Sequence, residues 1–141
     1  DRALWVIPAN RMKAGREHRV PLTPRAVDLL RDLYELRTNE RVFPGQKNGR
    51  PLSVMAMDML LRRMKVDVTV HGFRSAFRDW AGEETGFPRD VAEQALAHRV
   101  GDATERAYRR GDALEKRRKL MDAWAAYLAP GTSSNVLKLR A

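Results

Sequence analysis

Only two stretches of this chain read as β-strands, and both come before Thr23: Leu4-Trp5-Val6-Ile7-Pro8 and Glu17-His18-Arg19-Val20-Pro21-Leu22. Each carries a proline, which has no N–H to give a central ladder, so these are edges or strand ends. Between them Arg11-Met12-Lys13-Ala14-Gly15-Arg16 is polar and holds a glycine suited to a turn. The pair is therefore predicted to form a hairpin. A lone hairpin is marginal in water, so this one needs a third strand or a helix bed supplied from elsewhere. From Thr23 onward the apolar residues recur with helical period. The expected fold is mainly α (α+β), a helical domain with a small N-terminal β-hairpin.

Helix signals punctuate the remainder. Thr23-Pro24 is a hydroxyl cap followed by proline at the first helical position, and Val27, Leu30, Leu33 and Tyr34 give an apolar stripe ending near Arg37. Val42-Phe43-Pro44-Gly45 reads as a brief buried segment, and Gln46 to Pro51 as a solvated turn. Ser53 is expected to cap a helix from Val54 to about Met64, its methionines at 55, 57, 59 and 64 filling a core. Thr69-Val70-His71-Gly72-Phe73-Arg74 starts a helix running to about Glu84 and stopping at Gly86, with Phe73, Phe77, Trp80 and Ala81 on one face. Pro88 starts another, through Val91, Ala92 and Leu96. Asp102-Ala103-Thr104-Glu105 has the form of a capping box opening a short helix that carries Tyr108. From Asp112 a long helix runs to about Leu128, burying Leu114, Leu120, Met121, Trp124 and Leu128. Its run Lys116-Arg117-Arg118-Lys119 is predicted to be a solvated face.

A chain of 141 residues, 43% of them hydrophobic, is expected to be one domain over residues 1–129 with a tail at 130–141. The net charge of +9 favours a polyanionic partner. Cysteine is absent, which excludes disulfides and thiolate metal sites. Histidines 18, 71 and 98 lie too far apart for metal-ligand spacing on one helix, so neither metal nor cofactor is expected. With no apolar run of membrane-spanning length and no signal-peptide pattern, a cytoplasmic protein is expected.

The chemistry-bearing residues suit exchange of a phosphodiester, which asks for a nucleophile, cations on the non-bridging oxygens and a proton donor to the departing oxygen. Tyr108 can be the nucleophile, since a phenol ionises near about 10 and neighbouring cations lower that value. His71 and Arg74, three positions apart, share a helix face. Arg74 offers a planar fork to two phosphate oxygens, and His71 a proton acceptor or donor near neutral pH. His98 adds a second imidazole before the break at Val100-Gly101. Lys13, at the hairpin tip on a mobile loop, could be lowered over a bound phosphate and protonate the leaving 5′ oxygen. Arg11, Arg16, Arg19, Arg99 and Arg110 are candidates for holding DNA phosphates.

These residues resemble the tyrosine recombinase (phage integrase) family, most closely the P4-like prophage integrases. Trp5-x-Ile7-Pro8 through Arg11-Met12-Lys13 and His18-x-Val20-Pro21-Leu22 look like its catalytic hairpin. His71-Gly72-Phe73-Arg74 looks like its H-x-x-R box, and Leu96-Ala97-His98 with Ala103-Thr104-Glu105-x-Ala107-Tyr108-x-Arg110 like its closing box. Ala123-Trp124-Ala125-Ala126-Tyr127-Leu128 is similar to the end of its last catalytic helix. The resemblance implies a truncated tyrosine-recombinase fold and a type IB mechanism on double-stranded DNA, with a 3′-phosphotyrosyl intermediate and no cofactor. Tyr108 would attack, Lys13 protonate the 5′ oxygen, His71 move protons, and Arg74 with His98 stabilise the phosphate. It also implies other protomers in a synaptic tetramer and a place in the bacterial cytoplasm, at the nucleoid.

The family's other catalytic arginine, in a motif ahead of the hairpin, has no match here, nor has its upstream DNA-clamping domain. The chain is thus expected to be a C-terminal fragment, inactive or weak alone, since one lost charge donor commonly costs about 3 kcal/mol. Two rival readings stay open: a basic DNA-binding module without chemistry, and a protomer-interaction module using the last helix and tail.

Overall fold

The computed structural model describes residues 3–45, 49–98, 100–101 and 111–129. They form two compact units: one from the described parts of 1–23 and 86–141, the other from 24–85.

The first unit begins with the expected hairpin. Strands β1 (Leu4–Ile7) and β2 (His18–Pro21) pair antiparallel, with Leu4 opposite Pro21 and Ile7 opposite His18. A short 3-10 turn at Ala9–Arg11 comes after β1, and Met12 O then accepts from Gly15 N at 2.9 Å, closing a turn around Lys13 and Ala14. Gly15 has φ +63°, a left-handed conformation that glycine adopts without steric cost. The bed for this hairpin is the chain's own last helix, here called α5 (Leu114–Leu128), which packs on β2 and also on the short helix α4 (Arg89–Ala95). Val91 and Ala92 of α4 and Leu120 of α5 are buried there.

Two features of α5 differ from expectation. Leu128 is exposed, and Arg117, inside the basic run read as a solvated face, is only 1% exposed. Lys116 and Lys119 do point to solvent. Arg117 is buried because it lies on the apolar stripe, three residues from both Leu114 and Leu120, so helical period overrides its charge.

The second unit holds α1 (Pro24–Glu35), α2 (Ala56–Arg63) and α3 (Val70–Glu83). Helix α2 starts later than its sequence predicts: Ser53 Oγ accepts from Met55 N at 3.1 Å, closing a local turn ahead of the helix. Its methionines do not fill a core. Met55, Met57, Met59 and Met64 are all about half exposed or more, and in α2 only Leu61 is buried. Val42 and Phe43 are likewise exposed, where a buried segment was expected. Instead Pro44 bridges Pro51, and Gly45 N donates to Arg50 O at 2.8 Å. A Cβ on Gly45 would meet Pro51 O at 2.3 Å, so only glycine fits this approach.

Helix α3 forms as predicted, with Phe77, Trp80 and Ala81 buried and the Phe77 and Trp80 rings 6.1 Å apart. Phe73, placed on the same face, is instead 56% exposed, being in the first turn. The capping-box helix around Asp102 and the tail at 130–141 lie outside the described residues.

Candidate active site

The first unit contains an open cleft of about 410 Å³. Its walls are the hairpin turn and β2 (Met12, Ala14, Arg16, His18, Arg19), the end of α4 (Ala97, His98) and the start of α5 (Gly111, Asp112, Arg117). Lys13 lies between two of the lining residues and is exposed, at the second position of the closed turn. Its place is therefore a hydrogen-bonded turn rather than an open loop. Arg11 and Arg16 flank it, both exposed.

His98 is held from two directions. Its backbone N–H donates to Glu93 O at 2.9 Å, and Ala97 N to Gln94 O at 3.0 Å, the paired bonds that close a helix when the residue after the cap turns left-handed. That residue is Ala97, at φ 56°, where glycine is usual. The His98 Nδ1 also contacts the Glu93 carboxylate, which is mostly buried.

Also lining the cleft, one carboxylate grips two arginines. Arg19 presents Nε and Nη2 to Asp112 at 3.0 and 2.9 Å, a bidentate fork. Arg117 reaches back over the start of its own helix, giving Nη2 to Asp112 Oδ2 at 2.8 Å and Nε to Asp112 O at 2.8 Å. Its Nη1 donates to Arg19 O at 2.7 Å. Burial lowers the pKa of Arg117 and Arg19 pushes it the same way, while Asp112 opposes both. An arginine nonetheless stays charged at any physiological pH.

His71 and Arg74 belong to the second unit, as the second and fifth residues of α3. Thr69 Oγ1 caps that helix by accepting from Gly72 N at 3.0 Å. A Cβ on Gly72 would sit 3.3 Å from the same oxygen, so glycine keeps the cap close. His71 is exposed and Arg74 half-buried, one turn apart on one face. Tyr108, Arg99 and Arg110 lie outside the described residues.

Known proteins show what family the chain belongs to. Residues 1–115 match the phage integrase family. The chain belongs to that family. It is 37% identical over 137 residues to prophage integrase IntA of Escherichia coli K12, covering 94% of this chain and 33% of that protein. It is 33% identical over 147 residues to the integrase of Enterobacteria phage P4, covering 91% and 34%, and 30% identical over 133 residues to that of Shigella phage Sf6, with the same coverage. The chain thus spans about a third of the length of these curated relatives. No solved structure matches it significantly. No described helix is long and apolar enough to cross a membrane.

Within this integrase chain, sequence reasoning singled out His98 and the Lys13 turn but passed over Glu93, Asp112 and Arg117. Arg117 had a visible signal in its apolar spacing. Asp112 had none, because Arg19, one of the arginines it grips, lies 93 positions away.

Proposed function

We propose that this chain is the C-terminal part of a site-specific DNA recombinase, residues 1–129 forming part of its catalytic domain and 130–141 a tail. Tyr108 attacks a backbone phosphorus of double-stranded DNA. A bond forms between its phenolic oxygen and phosphorus, the bond from phosphorus to the 5′ oxygen breaks, and Lys13 gives that oxygen a proton. Arg74 and His98 stabilise the charge on the phosphate, and His71 takes or returns the tyrosine proton. The 3′-phosphotyrosyl bond conserves the energy for rejoining, so no cofactor enters. Arg11, Arg16, Arg99 and Arg110 hold flanking phosphates; Arg19, turned to Asp112, is the least available for that role.

What best supports this reading, in a phage integrase, is the cleft that unites the neighbours of Lys13 with His98. The test uses a nicked suicide duplex with the full-length integrase carrying this chain. A covalent protein–DNA adduct is expected, and Tyr108→Phe abolishes it. Adduct formation undiminished by that change would refute the nucleophile and favour a DNA-binding module without chemistry.

A further inference from the structure

We propose that Asp112, through its grip on Arg19 and Arg117, is a positioning residue that holds the Lys13 turn in place from the start of α5. The proposal rests on the recombinase reading and adds to it three residues which that reading does not use.

Connectivity comes first. Asp112 comes four positions after Tyr108, and Arg19 lies in the strand that returns from the Lys13 turn. The forked pair of Arg19 with Asp112 therefore ties the strand returning from the Lys13 turn to the residues just ahead of α5. Arg117 closes the link from below, bonding Asp112 with one side of its guanidinium and the backbone of Arg19 with another. All three residues border the cleft that His98 also lines.

The chemistry of the link points to geometry rather than to stability alone. A buried ion pair is often no more stabilising than apolar residues of the same volume, because both charges lose water. Its directional bonds do fix distances that apolar packing leaves looser. Arg117, fully covered, is unsuited to touching DNA, yet its guanidinium is bonded by oxygens from two separate elements. The adjoining residue Ala113 is held at φ 51°, a left-handed conformation unfavourable for alanine. Strain of this kind persists only where the surroundings over-determine the backbone.

Positioning of Lys13 has a signature that mere folding does not. If the leaving 5′ oxygen is replaced by sulfur, the departing group is a thiolate, which needs no proton because thiols ionise near about 8.5. A defect confined to proton donation is then rescued. The experiment measures single-turnover adduct formation by the full-length integrase on ordinary and 5′-thio suicide duplexes, with DNA affinity and melting temperature alongside. Asp112→Asn is expected to slow cleavage of ordinary DNA by about a hundredfold, as a misplacement near 1 Å commonly does, with DNA affinity little changed. Most of the rate should return on the 5′-thio duplex. Arg19→Gln, at a half-exposed side chain, should show the same pattern more weakly, and it decides the matter if Asp112→Asn fails to fold. Equal loss on both substrates, or no loss on either, overturns the proposal. Lys13→Ala and Tyr108→Phe are the controls: the first rescued by sulfur, the second dead on both. If those controls behave otherwise, the recombinase reading itself falls and takes this proposal with it; intact controls confine the failure to Asp112.

Discussion

The two units of this integrase chain use the same helical period to opposite effect. In the unit built on the hairpin, the period carries Arg117 into the interior, where its charge is met by Asp112 and by two backbone carbonyls. In the unit of residues 24–85, the same kind of spacing leaves Met57, Leu60 and Met64 at the surface. One region buries a charge and satisfies it; the other exposes apolar side chains. The lesson is that directional bonds, rather than apolar area, set the geometry around the cleft. Stability changes should therefore be large and specific in the first unit and small in the exposed face of the second.

The contrast is broken or sharpened most directly at Asp112. Replacing it by alanine strands a buried guanidinium, and breaking such a pair commonly costs about 3–5 kcal/mol. Urea unfolding monitored by circular dichroism checks this; a loss below about 1 kcal/mol, the scale of an exposed ion pair, would mean that the knot is not a structural centre. Next comes Leu120, with 0% of its surface exposed. Leu120→Ala should cost about 3 kcal/mol through lost transfer energy and the cavity left behind. The matched change in the other unit, Met57→Ala, should stay within about 0.5 kcal/mol, because that side chain is half exposed. Comparable losses at the two sites would erase the distinction between the units.

Caps offer a finer comparison. Thr69 accepts from Gly72 N at the start of α3, and Thr69→Ala should cost about 1 kcal/mol by leaving that donor unpaired. Since His71 sits in the turn so capped, the same variant should lower adduct formation by the full-length integrase. A loss of stability without any loss of rate would separate the cap from the His71–Arg74 pair.

How much of the molecule could be read from the chain depended on how local the cause was. The hairpin was legible because Pro8, Gly15 and Pro21 act on their own backbone, and α3 and α4 because their boundaries are marked nearby. Exposure of the α2 methionines was not, since a methionine is equally apolar with or without a neighbour to cover it. Ser53 was recognised as a cap but spends its hydroxyl on Met55 N, a turn that competes with the helix start. Near the cleft, the turn at Lys13 and the helix end ahead of His98 were legible, because Gly15 and the break at Val100-Gly101 mark them locally. The Arg19–Asp112–Arg117 knot was hidden because the bonds that bring Arg19 into it span more than ninety positions.

A small gain in stability separates the two units most cleanly. Helix α2 ends as α4 does: Lys65 N donates to Arg62 O at 3.0 Å and Val66 N to Leu61 O at 3.1 Å, with Lys65 at φ 53°. Each helix thus closes on a left-handed residue that is not glycine. Glycine removes that strain at the cost of extra freedom in the unfolded chain, so Lys65→Gly and Ala97→Gly should each stabilise by about 0.5–1 kcal/mol. Thermal melting should show two similar upward shifts. Their consequences for chemistry should differ, because only Ala97 adjoins a residue of the cleft. His98 takes its backbone bond through this turn, and relaxing Ala97 changes how firmly the imidazole is presented. Ala97→Gly should therefore raise the melting temperature while slowing adduct formation, whereas Lys65→Gly raises it alone. If both variants leave the rate untouched, the strain at Ala97 is a feature of helix termination common to the two units and has no bearing on the site.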